Sequence, residues 1–204
     1  MDDVTESDLS DLRLLKGARS RQTIARHAAE VATVEGLNGV SIGRLAADLG
    51  ISKSGVATLF GTKENLQVAA VDAARAVFRE YVVTPNLDKP EGIERLRAVL
   101  ESWIEFLAGA TFPGGCFRAA NIGDFDSRPG PVHDALQRDY GDWQAFLARQ
   151  LRVAKQAGDV RADIDPELEA FHIDAVGTAA NFAMRAGDTD APHKIRRIID
   201  RILA

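Results

Sequence analysis

A chain of 204 residues is long enough for one sizeable core, or for a small domain joined to a larger one. With 46% hydrophobic and 27% charged residues it has the composition of an ordinary globular protein, and no run approaches the roughly 20 apolar residues of a membrane span. The net charge of −5 argues against a uniformly basic, polyanion-coating protein, but the charge is unevenly placed. Residues 13–66 carry eight Arg or Lys against four acids; this net +4, set against −5 for the whole, leaves −9 on the remainder. A basic end on an acidic body points to one end meeting a polyanion.

Taken in chain order, residues 1–16 read as a flexible arm, with the acidic stretch MDDVTESDLSDL frayed and lacking the apolar core of a secretory signal. Ile24, Ala28 and Val31 recur at helical spacing within 17–35, and Gly36, Asn38 and Gly39 end that helix. Ser41 caps a second helix whose Ile42, Leu45, Ala46 and Leu49 form one buried face. Gly50 stops it by taking positive φ, and Ser52 caps a third helix over 53–60. After Gly61, Thr62 caps a long connecting helix over 63–83, and TPNLDKP is a linker.

The second half is also helical. The spacing predicts helices over 91–108, 116–125, 131–157, 166–185 and 193–203, interrupted by GATFPGGCF, DSRPGP, Gly158 and AGDTDAP. No segment alternates with period two. The predicted fold is all-α: an N-terminal three-helix domain over 17–62, then a larger helical domain over 63–204.

Two short helices joined by a tight Gly turn, the second capped by Ser, form a helix-turn-helix candidate. On a wheel with about 100° per residue, Val56, Leu59 and Phe60 gather on one face of the third helix. Ser54, Ala57 and Thr58 form the opposite face, flanked by Lys53 and Gly55. That face has no bulk and can enter a major groove, where hydroxyls bond base edges and methyls pack on thymine. Arg44 lies opposite the buried face of the second helix, and Lys63 opens the connecting helix; both suit phosphate, while Lys16, Arg19 and Arg21 form an arm for phosphate or minor groove. The plainer alternative is a helical bundle with a polar surface.

Residues 21–66 resemble the DNA-binding domain of the tetracycline-repressor (TetR) family of bacterial transcription regulators. The resemblance is carried by Gly39 before the second helix, by SIGRLAADLGIS and by the closing FGTKENL. It implies a homodimer on a near-palindromic double-stranded operator, and a C-terminal domain in which a small effector alters the spacing of two DNA-binding heads. The candidate DNA contacts, from the placement of cations, hydroxyls and helix starts, are Arg19, Arg21, Ser41, Arg44, Lys53, Ser54, Gly55, Thr58 and Lys63. The family usually places aromatic or His residues in the second turn of the third helix. Here those positions are Ala57, Thr58 and Leu59, so no base contact carries over to Ala57. Either affinity is modest, or Lys53, Ser54, Thr58 and the arm compensate. The GGCF stretch resembles one subgroup's ligand domain.

An effector pocket is expected around Trp103, Phe106, Cys116, Phe117, Asn121, Phe125, Trp143, Phe146 and Asn181, with the 63–83 helix as lever. The same aromatics also suit a plain core. Cys116 is the lone cysteine, which excludes an intrachain disulfide and fits a reducing cytoplasm; it reads as a buried small hydrophobe or a redox sensor. Small residues on 166–185 (Ala175, Ala179, Ala183, with Phe182) and the last helix's Ile195, Ile198, Ile199 and Ile202 suit a dimeric four-helix interface or close packing within one subunit.

The sequence therefore predicts a cytoplasmic, ligand-responsive repressor with no cofactor, metal or membrane partner. An enzyme is the weaker reading: His27, His133, His172 and His193 lack metal-ligand spacing, and no nucleophile elbow or phosphate loop is present. A helical adaptor that uses the small-residue face for protein contacts alone is the third.

Overall fold

The computed structural model describes the backbone of residues 6–204 and side chains from residue 14 onward. Among the described residues there are nine α-helices and no strand, as the patterning predicts. They are α1 (Glu6–Gly39), α2 (Ile42–Asp48), α3 (Lys53–Phe60), α4 (Lys63–Phe78), α5 (Ile93–Ala108), α6 (Phe117–Phe125), α7 (Pro131–Ala157), α8 (Pro166–Arg185) and α9 (Ala191–Ile202). The fraying expected of residues 1–12 concerns residues 1–5 and side chains outside the described ones. From Glu6 on, the expected arm is part of α1, which begins well ahead of residue 17.

The head, α1 to α3, is held by short side chains and caps. Ser41 Oγ accepts from the Arg44 N–H (3.2 Å), Ser52 Oγ from Gly55 (3.1 Å) and Thr62 Oγ1 from Asn65 (3.1 Å). Each such cap is worth about 1 kcal/mol. Gly50 sits at φ +64° in the turn between α2 and α3. Leu45 and Ala46 of α2 and Val56 and Phe60 of α3 are buried, with Ile42, Leu49 and Leu59 packed beside them. Ala25, Ala28, Ala29 and Ala32 form the buried face of α1, and Ala69, Ala70 and Ala74 that of α4, so the two helices pack closely along their length.

α1 is broken by Gly36 (φ 72°, ψ 163°), a conformation that side chains with a Cβ seldom adopt. Side chains from α4 and α6 take up several of the backbone groups opened there. The Asn121 side chain of α6 accepts from Leu37 N–H (2.6 Å) and donates to the Ala32 and Phe117 carbonyls (3.2 and 2.7 Å). Gln67 donates to Leu37 O, and Lys63 Nζ to Asn38 O, both at 2.7 Å. The break is therefore a hydrogen-bonded joint between head and body, with the Gly114 N–H donating to Thr33 Oγ1 (3.0 Å) one turn before it.

The expected linker is a packed corner. A π turn (Arg79–Val83) and a 3-10 turn (Thr84–Asn86) follow α4, and the buried Asn86 amide donates to Val82 O (2.9 Å) and Ser102 Oγ (3.0 Å). The body core gathers on α5, whose Leu96, Val99, Leu100, Trp103, Ile104 and Leu107 are buried. Gly177 of α8 lies flat against the Trp103 ring; a Cβ there would stand 1.9 Å from the indole.

That core overturns part of the expected dimer interface. Ile195, Ile199 and Ile202 are 1–5% exposed, packed inside one subunit as α9 covers α5 and α8, and Ile198 is half-buried beside them. Burying each isoleucine stabilises the monomer by about 1.5–3 kcal/mol, so their apolar face serves the subunit's own core. On α8 the arrangement is the reverse: Ala175, Ala179 and Phe182 are exposed and Ala183 half-buried. Leu168 (60% exposed) and Phe171 (58%) extend the same stripe, although sequence reading did not single them out.

Candidate nucleic-acid interface and effector cleft

α3 presents the expected low-relief surface: Lys53, Ser54, Gly55 and Thr58 are exposed and Ala57 half-buried. The hydroxyls have local partners. Thr58 Oγ1 donates to Ser54 O (2.8 Å), which leaves its lone pairs free on an exposed residue, and Ser54 Oγ donates to Ser52 Oγ at 3.3 Å. Lys53 enters none of the ion pairs found among the described residues, and its stem lies over Gly43 of α2.

Three cations expected to grip phosphate are instead held by the fold. Arg44 is bonded to Asp48 (2.7 Å) and Glu35 (3.2 Å), and Asp48 also faces His27 (3.1 Å). The hydrogen bond from Arg44, followed by that from His27, holds the Asp48 carboxyl below its usual value, and the bond to Asp48, with the charge of Glu35, raises Arg44. Arg21 donates to Leu59 O and lies over the Phe60 ring, 4.5 Å from its centroid. It fastens α1 to the end of α3. Lys63 is tied to Asn38 O at the α1 joint. Arg19 is exposed on the opposite side of α1 from Arg21, on a groove shared with Gln22, Arg26 and Glu80. Ser41 is a helix cap.

In the body, the outward cleft lies between the end of α4 with its π turn and α7. It has a volume of about 400 Å³ and is lined by Arg75, Phe78, Arg79, Val83, Leu87, Asp139, Asp142, Trp143, Phe146 and Arg149. A much smaller void, about 20 Å³, lies deeper, against Phe106, Phe112, Cys116, Phe117 and Arg118; Arg75, Phe78 and Asp139 line both. The aromatic rings interlock edge to face: Phe78 with Trp143 (5.1 Å) and with Phe106 (5.7 Å), and Trp103 with Trp143 (5.2 Å). Phe146 stacks on Trp143 at 5.9 Å.

Charges meet where α6, α7 and α8 join. Arg118 bonds Asp174 at 2.6 Å, with Asp139 at 3.7 Å and the Tyr140 ring at 5.8 Å. Burial pushes the Asp139 and Asp174 carboxyls above their ordinary values, against the pull of Arg118. Burial works against the Arg118 charge too, yet Cys116, Asp174 and Asp139 hold its pKa up.

Of the expected pocket residues, Trp143 and Phe146 line the cleft, and Phe106, Cys116 and Phe117 the deeper void. Trp103 is core. Phe125 is core capped by Arg128. Asn121 and Asn181 are corrections: Asn121 is the clasp on α1, and Asn181 Oδ1 accepts from the Cys116 N–H (2.9 Å). Both amides hold backbone, and their polarity on apolar stretches reflects that. Sequence reading missed Arg75, Phe78, Arg79, Asp139 and Asp142. The one available signal was Phe78 near the end of the connecting helix.

A capped helix-turn-helix head on a larger helical body with its own cleft is the architecture of one-chain transcription regulators. Residues 92–199 match the family described as tetracyclin repressor-like, C-terminal domain, and the chain belongs to this family of transcription regulators. Solved structures share the fold. A TetR regulator from Chloroflexus aurantiacus is 21% identical over 92% of this chain and 94% of its own, with a TM-score of 0.80. One from Agrobacterium tumefaciens is 21% identical over 91% and 99% (TM-score 0.80), and one from Cytophaga hutchinsonii 22% over 92% and 94% (TM-score 0.79). No curated protein matches the chain. Among the described residues, no helix is long and apolar enough to cross a membrane.

Proposed function

We propose that this protein is a ligand-released repressor that binds a near-palindromic operator as a homodimer. The observation that carries the reading is α3: capped at its start, wedged by Val56 and Phe60, and bare on its outer face. A helix of that relief can seat in a major groove with Ser54 and Thr58 at base edges and Lys53 on phosphate. Ser41, the Gly55 backbone and Arg19 complete the contact. Arg21, Arg44 and Lys63 act by positioning the head.

The domain division at 62/63 fits the same reading, with α4 as lever between head and cleft. The exposed stripe on α8 (Leu168, Phe171, Ala175, Ala179, Phe182) supplies a self-complementary apolar face for a second copy. An effector in the α4–α7 cleft acts by its differential affinity for the DNA-bound and released arrangements. The reading is of a DNA-binding protein of the cytoplasm, with no catalytic group in its mechanism.

The test is selection of genomic fragments by the purified protein, followed by salt-titrated binding to the selected site and to random DNA. A selected inverted repeat bound at least about 1,000-fold tighter than random DNA is the expected outcome. Equal affinity for both at all salt concentrations would sink the reading.

A further inference from the structure

Two adjacent glycines in the loop between α5 and α6 pack on different helices. Gly114 lies on α1: its N–H donates to Thr33 Oγ1 (3.0 Å), and a Cβ there would stand 1.9 Å from the Thr33 carbonyl oxygen. Gly115, at φ +80°, lies on α8: a Cβ there would stand 2.5 Å from Asn181 Oδ1 and 3.3 Å from Arg185 Nε. α8 also bonds the loop on both flanks of the pair. Arg185 Nη1 donates to Pro113 O (3.0 Å), and Asn181 Oδ1 accepts from the Cys116 N–H (2.9 Å). Phe112, 2% exposed, anchors the loop in the core. A segment pressed this closely between two helices, with no room for a Cβ toward either, cannot move without moving them.

The two helices it joins have no extended contact of their own among the described residues, and α4 has none with α8 either. The loop meets α1 at Thr33, ahead of the Gly36 break and so on the stretch of α1 that carries the head. It meets α8 at Asn181 and Arg185, beside Phe182 of the exposed stripe. The helix that offers a face to a second copy is thus bolted, through two glycines, to the first helix of the head.

We propose that the loop from Pro113 to Cys116 is a strut that fixes the distance of the head from the dimer axis and thereby sets the half-site spacing the dimer accepts, with Thr33, Asn181 and Arg185 as its positioning residues. The inference rests on the homodimer reading above, with α8 as the shared face. In a two-fold dimer, slack between α8 and α1 of one subunit is doubled between the two α3 helices. Each added base pair separates the half-sites by about 3.4 Å, so slack of about 1.7 Å per subunit spans a whole base pair. A rigid strut makes the dimer intolerant of such a change, and a loosened one makes it permissive.

The test titrates the full-length protein with the selected operator and with versions whose half-sites are moved together or apart by one and two base pairs. Wild type is expected to lose about tenfold or more in affinity for a change of one base pair. Thr33→Val keeps the shape and removes the hydroxyl; Arg185→Ala removes the bond to Pro113 O from an exposed position. The double variant is expected to sediment as the same dimer and to bind the one-base-pair alterations within about threefold of the original spacing. Arg185→Ala alone, which disturbs no buried side chain, is expected to lie between the two profiles and serves if the double variant does not fold. Ser102→Ala, which instead breaks a bond at the α4–α5 corner, is expected to keep the wild-type profile. Folded strut variants with the wild-type spacing profile overturn the strut and leave the repressor reading standing. So does a flattened profile that Ser102→Ala reproduces, or one that comes only with dissociation of the dimer. A wild-type protein that prefers the inverted repeat to random DNA yet ignores its spacing also overturns the strut alone. One with no preference for the repeat overturns the homodimer reading and the strut with it.

Discussion

α3 and α8 are both poor in bulk, and they use their small residues in opposite ways. On α3 the large side chains, Val56 and Phe60, face inward and the small ones face solvent. On α8 the smallest residue faces inward, with Gly177 flat against Trp103, while Leu168, Phe171 and Phe182 stand 55–60% exposed. A bare outer face suits a partner that must be approached closely and read by polar edges. An outer face with exposed rings suits a partner that brings apolar surface of its own. The difference teaches that small residues at helical spacing announce close approach, and that the position of the large residues tells on which side.

The comparison can be broken most sharply from the inside. Gly177→Ala places a Cβ into the Trp103 ring, and overpacking of this kind costs about 3 kcal/mol or more. Thermal unfolding should fall by roughly 6–12 °C; a shift under about 2 °C would mean that the indole moves aside freely. The outer face of α8 is tested by Phe171→Ser with Phe182→Ser. These should weaken self-association by about 2–4 kcal/mol in analytical ultracentrifugation and leave the monomer's melting cooperative. An unchanged sedimentation profile would remove α8 from the dimer.

On α3 the effects are smaller. Thr58→Ala should lose about 1 kcal/mol on the selected operator and little on random DNA, whereas Lys53→Ala should weaken both and reduce the salt slope by about 1. Equal losses from Thr58→Ala on both DNAs would deny it a reading role. Lys63→Ala should move stability, by about 1 kcal/mol through the lost bond to Asn38 O, more than it moves the salt slope.

The smallest effect is in pH. Burial raises the Asp139 carboxyl in the folded protein, so its contribution to stability is greatest below the unfolded carboxylate pKa and declines as pH rises through the folded value. Asp139→Asn removes that decline. The variant should melt above wild type at about pH 7.5 and approach it at about pH 4. A gap that widens toward acid would reverse the sign.

Much of this fold was legible because its signals are local. The caps at Ser41, Ser52 and Thr62, the positive φ of Gly50 and Gly158, and the buried stripe of α5 all follow from neighbours within a turn or two. What was not legible depends on partners far along the chain. Arg21 and Lys63 read as free cations, but their acceptors lie 38 and 25 residues away; Arg44 is the exception, since its partner Asp48 stands only one helical turn on and was there to be read. The isoleucines of α9 announced an apolar face without saying which surface would cover it. Asn121 and Asn181 looked like pocket groups because a polar side chain on an apolar stretch is the same signal whether it awaits a ligand or a broken helix. The cleft itself is built by Phe78 and Asp139 from separate helices, a juxtaposition no single stretch of sequence records.

The break at Gly36 also sets an energetic threshold. α6 is a rod of nine residues, about 13 Å long. Phe117 at one end lines the deeper void, and at the other Asp124 meets Asn38 (3.3 Å), with Asn121 bonded to Leu37 between them. Drawing that rod away from α1 gives up the two bonds Asn121 makes to Leu37 and Ala32 and the one from Asn38 to Asp124, about 3 kcal/mol at ~1 kcal/mol each. A ligand that works by this displacement must favour the displaced state by about 150-fold before half the molecules respond. Weak ligands would then fill the cleft and leave the head where it is, and the joint would decide which occupants count as signals.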